Sequence, residues 1–320
     1  MPRSDTSSRL SQIATTSPGW SCTYSELPPL RLLPASQFSW EELTQAYNQT
    51  RVDYIVPMPM NVARLRDYVH SYDVNMEASA VAMEGSQILG LAMLGVRPEH
   101  CWATRLGVLP LTRRHHVGQS LMEYLIEQST RLGSQSMLLE VIRGNQPAHR
   151  LFKKLGFCEV RELLVLRRPP GPPGSEGGQA VLPWPYTAHG LDHHQALAWL
   201  RQYRGVPSWL NEVRSLENVG NLAGLQVELE HGGRGWMAYQ NTVFQLGHLV
   251  MQTEAGDPRE VGQALLHALH TRHPAQDTNA ENISCHDPHL PAMRTMGYLE
   301  SFRRIEMRLD LAPSRFKSDF

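Results

Sequence analysis

The chain has 320 residues, 41% of them apolar and 19% charged, with a formal net charge of −1 at pH 7. That length allows two domains, the composition is globular rather than disordered, and the near-neutral balance argues against nucleic-acid binding through a basic whole-protein field. Four cysteines, Cys22, Cys101, Cys158 and Cys285, lie far apart with no Cys-x-x-Cys pair, which fits reduced thiols in a cytoplasm and not a disulfide framework. The longest apolar run, Ile88 to Val96, is too short to span a bilayer, so no membrane partner is expected.

Residues 1–22 are rich in Ser and Thr and lack a signal-peptide core; they read as a disordered tail, with a transit peptide as the other reading. Leu30 to Leu33 reads as a short strand. Ser39 with Glu42 three residues on is the capping-box pattern and predicts a helix to about Thr50. Tyr54 to Met60 carries two prolines and cannot continue it; a second helix is expected from Asn61 to about Ser71. Ala78 to Met83 and Gln87 to Val96 read as a hairpin around Glu84-Gly85-Ser86, and Trp102 to Leu109 as the next strand.

The chain is organised around the stretch that follows, Leu106 to Ser120. An apolar strand end meets Pro110, then a basic turn, then Val117-Gly118, then a helical pattern with Leu121, Tyr124, Leu125 and Leu132 on one face. A strand feeding a helix this way can hold a phosphate. Unpaired N–H groups of the first turn and the helix dipole favour an anion, Gly118 admits close approach, and Arg113 and Arg114 add charge. An ordinary solvated basic turn has the same pattern. Ser136 to Ile142 then reads as a strand, Gln146 to Leu155 as a helix stopped at Gly156, and Phe157 to Arg167 as a strand. Arg167 to Gln179, RRPPGPPGSEGGQ, has the composition of a linker.

From about Val181 the pattern returns. A helix is expected over Gln195 to Tyr203. Val261-Gly-Gln-Ala-Leu265 echoes Val117-Gly-Gln-Ser-Leu121, Met296-Gly297-Tyr298 echoes Leu155-Gly156-Phe157, and Ile305 to Leu309 echoes Leu164 to Arg168 as a closing strand. Three echoes in register point to a tandem duplication. The expected organisation is a tail (1–22), a first domain (23–168), a linker (169–180) and a second domain (181–320).

The stretch Leu139 to Phe157, LEVIRGNQPAHRLFKKLGF, taken with the phosphate turn, resembles the GNAT superfamily of acyl-CoA-dependent N-acyltransferases. That family's cradle reads Gln/Arg-x-x-Gly-x-Gly/Ala. Arg113 and Gly118 match its ends, while His116 stands where the first Gly belongs. Glu140, Asn145 and Leu155-Gly156-Phe157 follow the family's later order of acid, Asn and helix end. The run Leu-Glu-Val…Asn is also similar to enzymes that acetylate the N-terminal alanine of a ribosomal protein. The resemblance is firm over residues 80–168 and looser over 30–80.

The resemblance implies a mixed α+β fold of two GNAT-like domains, each a mostly antiparallel sheet flanked by helices. It implies an N-acetyltransferase with acetyl-CoA as co-substrate, held by Arg113, Arg114, His115, His116, Val117, Gly118, Gln119 and Ser120, with Asn145 and Phe152 also on the CoA side. Backbone N–H groups of Leu106, Gly107 and Val108 would polarise the thioester carbonyl, at ~3 kcal/mol each. Glu140 would accept the proton of the attacking amine; its other reading is a carboxylate paired with Arg143 or Arg105. Asn145 can contact CoA, cap the following helix, or both. Phe152 occupies the position of the family's Tyr, the acid for the departing thiolate; a thiol of pKa ~8.5 leaves tolerably without it. Cys158 and His149 lie nearby in sequence. Asp53, Tyr54, Met58 and Met60 fall in the region that lines the acceptor side.

His267, His270 and His273 recur every three residues, but no His-Glu-x-x-His motif accompanies them, so no metal is expected. Aligning Gly262 on Gly118 puts Asp257 and Glu260 in place of Arg113 and His116, and Pro258 removes an N–H. The second domain is therefore expected to be degenerate and without CoA, able to cover the first cleft, shape the acceptor pocket or build a homodimer. The acceptor stays open between a small-molecule amine and a protein N-terminus. Two rivals stand beside acetyl transfer. One is a non-catalytic acyl-CoA-binding sensor or scaffold, favoured by His116 and Phe152. The other is a mycothiol-synthase-like tandem enzyme, whose working motif would lie in the second half.

Overall fold

The computed structural model describes residues 29–113, 116–173 and 182–311. The expected tail, Arg114 and His115 of the basic turn, residues 174–180 of the linker, and residues 181 and 312–320 of the second domain lie outside the described residues. The first half runs β1 (Arg31–Pro34), α1 (Trp40–Gln49), α2 (Val62–Ser71), β2 (Ala80–Glu84), β3 (Gln87–Val96), β4 (His100–Val108), α3 (Val117–Arg131), β5 (Ser136–Ile142), α4 (Gln146–Lys154) and β6 (Cys158–Arg168). The second half repeats this with β7 (Tyr186–Leu191), α5 (His193–Leu200), α6 (Val213–Val219), β8 (Leu222–Leu229), β9 (Arg234–Asn241), β10 (Gln245–Ala255), α7 (Pro258–Arg272), β11 (Asp277–Ser284), α8 (Leu290–Thr295) and β12 (Leu299–Asp310).

Local chemistry sets the boundaries. Ser39 and Glu42 close the expected capping box on α1, which buries Leu43, Ala46 and Tyr47. Asn61 caps α2 and Asn145 caps α4. Gly156, at φ +95°, ends α4 in the left-handed conformation that suits a residue without Cβ. β6 runs one residue past the expected strand end at Arg167. Arg168 belongs to the strand, and its guanidinium holds the carbonyls of Met296, Gly171 and Pro172.

All twelve strands form one sheet in the order β1-β2-β3-β4-β5-β12-β6-β11-β10-β9-β8-β7. The order is palindromic about the β12–β6 pair, so the duplication appears as a pseudo-two-fold. Each half lends its last strand to the other. β12 lies between β5 and β6, pairing Arg304 with Ile142 through Asp310 with Ser136, and β6 lies between β12 and β11. Two separate sheets, the arrangement suggested by the repeat, are thus fused, and the edges of β5 and β11 are covered.

Helices cover both faces. In the first half, α3 and α4 pack Leu121, Leu125 and Phe152 against Ala103, Leu139 and Val141, while α1 and α2 pack Leu43, Tyr47 and Leu65 against Leu91 and Met93. A short 3-10 turn of the second half, Trp209–Asn211, drives Trp209 into the first. Its indole stacks on Trp102 at 5.6 Å, donates to the Tyr72 carbonyl at 3.0 Å, and lies under the Arg97 guanidinium at 3.9 Å. A Cβ at Gly95 would stand 2.7 Å from that indole, so the close approach depends on a glycine there. Among the described residues no helix is long and apolar enough to cross a membrane.

Candidate active site

The sheet opens at one place in the first half. β4 and β5 run parallel and pair only from His100–Ser136 to Ala103–Leu139. Beyond that the strands part. Arg105 sits at φ +55° where the β3–β4 register slips, a bulge that bends β4 away from its neighbour. Leu109 donates its N–H to Leu89 of β3, so by strand alternation Leu106 and Val108 direct theirs to the open edge. Those two amides can meet a developing oxyanion; that of Gly107 faces β3. Gly107 matters sterically instead, because a Cβ there would stand 2.2 Å from Thr50 Oγ1 at the end of α1.

The phosphate turn closes one end of this opening. His116 takes the left-handed conformation, φ +60°, immediately before α3. A histidine tolerates what a glycine adopts freely, so the backbone shape of the glycine signature survives the replacement. Val117, Gly118 and Gln119 head the first turn; the Ser120 amide is already bonded to the His116 carbonyl, which removes it from the expected cradle. Gln119 bonds Glu123 and Lys154 through its side chain. Arg113 departs from expectation most clearly. Its guanidinium makes a bidentate pair with Asp53 at 2.6 and 2.7 Å and donates to the Thr50 and Val108 carbonyls. It is a clasp between the loop after α1 and the phosphate turn, not a free cation. Asn145 accepts from the Ala148 amide as a cap. Phe152 is 6% exposed and packs edge-to-face on Phe157, so its ring belongs to the core rather than to a ligand surface. Cys158 is exposed, and His149 pairs with Glu159 at 2.9 Å.

Glu140 stands at the other end, where the splay begins. A cavity of about 360 Å³ lies beside it. The carboxylate accepts from Trp102 Nε1 at 2.6 Å and from Asn282 Nδ2 at 3.2 Å. It pairs with neither Arg143, which holds Glu162, nor Arg105, which holds the Tyr47 hydroxyl at 3.0 Å. Burial pushes its carboxyl up to about 7, against the lowering pull of Arg304 and Trp102. A second carboxylate, Glu281, lines the same cavity and moves the other way. Burial would raise it, but the charge and hydrogen bond of Arg304 at 2.8 Å hold it below the ordinary glutamate range. Two acids driven apart by their surroundings are the arrangement that separates a proton acceptor from a fixed charge.

The cavity draws on both halves. Tyr54, Met58, Tyr68, Tyr72, Trp102 and Arg105 come from the first, and Leu210, Asn279, Glu281, Phe302 and Arg304 from the second. Of the acceptor-side loop, Tyr54 and Met58 reach the cavity. Asp53 is taken by Arg113, and Met60 packs on the α1–α2 core. Trp102, Asn282 and Arg304 carry no motif in the sequence. The one available signal was the period-two pattern that places Trp102 on the face of β4 shared with Leu138 and Glu140 of β5.

The matching opening of the second half, beside the His248 bulge (φ +51°), is closed. Asp257 caps α7 and Glu260 pairs with His231 at 2.8 Å where an anion cradle would lie. His289 at the head of α8 hydrogen-bonds Thr253 of β10 at 2.9 Å across the gap, and the space left is about 40 Å³. The three spaced histidines at the end of α7, the last of them its C-cap, each meet a tyrosine hydroxyl: His267 with Tyr186, His270 with Tyr298 and His273 with Tyr239.

Residues 39–157 match the model of the acetyltransferase (GNAT) family. No curated protein matches the chain in sequence. Among solved structures, the chain is similar to a GCN5-related N-acetyltransferase from Sphaerobacter thermophilus, at 15% identity and TM-score 0.65 over 92% of this chain and all of that one. It is also similar to a tandem GNAT protein from the clavulanic acid biosynthesis pathway, at 13% identity and TM-score 0.59 over 89% of this chain and all of that one. A fungal glucosamine N-acetyltransferase region within a multi-domain β-N-acetylglucosaminidase aligns at 12% identity and TM-score 0.67, over 88% of this chain and 38% of the other. Residues 39–157 thus form a domain of the acetyltransferase (GNAT) family, in a chain with the fold of a tandem GNAT protein.

Proposed function

We propose that the chain transfers an acetyl group from acetyl-CoA to an amine in the opening between β4 and β5, with Glu140 as proton acceptor. The observation that carries this reading is a carboxyl group held near pKa 7 beside a cavity at the root of that opening. A primary amine is mostly protonated at neutral pH and cannot attack until it loses a proton. A base whose pKa matches the working pH serves that step, typically for ~10²–10⁴ in rate. The free amine then attacks the thioester carbon, the carbonyl oxygen gains charge facing the Leu106 and Val108 amides, the C–S bond breaks, and the departing CoA thiolate takes up the proton left on the amide nitrogen. No tyrosine stands at position 152, and a thiolate needs none to leave at a useful rate. The phosphates of CoA would lie on the first turn of α3, where the helix dipole and the Val117, Gly118 and Gln119 amides favour an anion.

The test is release of free thiol from acetyl-CoA across a panel of amines. The reading requires release that depends on the amine and is lost in Glu140→Gln. CoA binding with no amine-dependent release would support a sensor instead.

A further inference from the structure

Three arginines face the cavity, and they are not equivalent. Arg304 donates to Glu281 and to Asn282. Arg105 and Arg51 have no carboxylate within salt-bridge distance among the described residues. Arg105 holds one neutral hydroxyl, that of Tyr47 at 3.0 Å, and lies over the Tyr68 ring at 4.0 Å. Arg51 holds one carbonyl, that of Leu106 at 3.2 Å, and lies over the Tyr54 ring at 4.5 Å. The Nε of each is buried with no hydrogen-bond partner. Arg97 is neutralised by Asp73 and Glu212 and Arg161 by Glu306, while the buried Arg168, also without a carboxylate, has its Nε, Nη1 and Nη2 all taken up by the carbonyls of Met296, Pro169, Gly171 and Pro172. A desolvated guanidinium with no ion pair is unfavourable, and its fork of donors fits an oxyanion; Glu281, which lines the same cavity, reaches Arg105 only through its charge and not in a salt bridge. Arg105 and Arg51 are the ones left with unused donors, and with Glu140 they line the space for the acceptor.

We propose that the acceptor is an amine that also carries an oxyanion, received by Arg105 and Arg51 while the amine lies at Glu140. This rests on the acyl-transfer reading for the amine's fate, but the anion site itself can be read by binding alone. The ring of Tyr54 backs Arg51 and that of Tyr68 backs Arg105, so the acceptor's anion would seat at a cationic wall stiffened by aromatic rings.

The experiment is calorimetry on the full chain with paired amines that differ in one oxyanion: α-amino acids against their carboxamides, and phosphoethanolamine against ethanolamine. The inference expects the anionic member of at least one pair to bind ten-fold or more tightly, and the pair that discriminates tells carboxylate from phosphate. Arg105→Gln should reduce that preference to a few-fold. Arg51→Gln, on a different element, should do the same if the first variant folds poorly. Equal binding within both pairs, or a preference untouched by both variants, overturns the inference. Thiol release on the same panel separates the two readings. Release with neutral amines only would refute the anion requirement and keep acyl transfer. Anion-selective binding with no release from any amine would keep the site and refute the transfer.

Discussion

Asn282, in the second half of the chain, donates its side-chain amide to Oε1 of Glu140 in the first, at 3.2 Å. It is held for this by Arg304, which donates to its Oδ1 at 2.7 Å and to Glu281 at 2.8 Å. The strand exchange makes the contact, because β12 carries Arg304 to the edge of β5. Glu140 therefore sits at the end of a hydrogen-bonded chain rooted in the other half of the molecule. Asn282 itself is at φ +58°, a conformation that Asn and Gly adopt at least cost.

Asn282→Gly keeps that backbone and removes only the amide. A hydrogen bond to an ionised carboxylate favours the charged form, so its loss should raise the pKa of Glu140. The acidic limb of the kcat/KM profile is expected to move to higher pH by about 1 pH unit, with turnover at pH 7 down several-fold. A profile that stays in place would make Asn282 a structural residue only.

Glu140→Gln should stabilise the fold while lowering turnover ~10²-fold or more. The folded state holds a proton on Glu140 up to about pH 7, and the unfolded chain only to about 4.5. More protons are bound in the folded state between those values, so this group's contribution is fully present below pH 4.5 and is lost as pH rises through 7. The ionised carboxylate costs up to about 3 kcal/mol above pH 7, which a neutral amide would remove while still accepting from Trp102. Urea denaturation at pH 5 and pH 8 checks this: the variant's gain should be large at pH 8 and small at pH 5.

His116→Gly should stabilise the chain by about 0.5–1 kcal/mol, because the side chain at φ +60° carries a left-handed penalty that glycine lacks. CoA affinity should hold or improve, since the turn's amides keep their direction. A destabilised variant would mean that the imidazole makes a compensating contact.

Calorimetric titration should give one CoA per chain. The first opening presents unpaired amides, whereas the second presents Asp257 and Glu260 and is bridged by His289 and Thr253. Arg113→Glu should weaken that single site at least ten-fold. Two equivalent sites would place binding in both halves, and a single site indifferent to Arg113 would show that the clasp does not shape the cradle.

The elements were largely legible. The capping box at Ser39, the full span of β3 and β5, and the turn into α3 each follow from local pattern and match the helices and strands observed. Glu140 stood out through the resemblance to the GNAT family, whose order of an acid near a strand end and an Asn five residues on it matches. The strand exchange was not legible, because Ile305 to Leu309 and Leu164 to Arg168 have the same alternation and either can fill either gap. For the same reason Asn282 and Arg304 gave no signal. Their role comes from which neighbour the strand meets, not from what surrounds them in sequence. Arg113 misled, since a basic residue in a phosphate turn looks free until Asp53, 60 positions earlier, is found against it.

The central claim is that Glu140 removes the proton from the attacking amine, and the pH dependence of thiol release tests it most directly. With acetyl-CoA saturating and a reactive amine in hand, log kcat/KM for the amine should rise through a limb centred near pH 7, set by Glu140, before the limb of the amine itself. In Glu140→Gln the rate should fall ~10²-fold or more with CoA affinity unchanged, and the limb near pH 7 should disappear. A variant that keeps near-normal turnover, or one that keeps the same limb, would contradict the account.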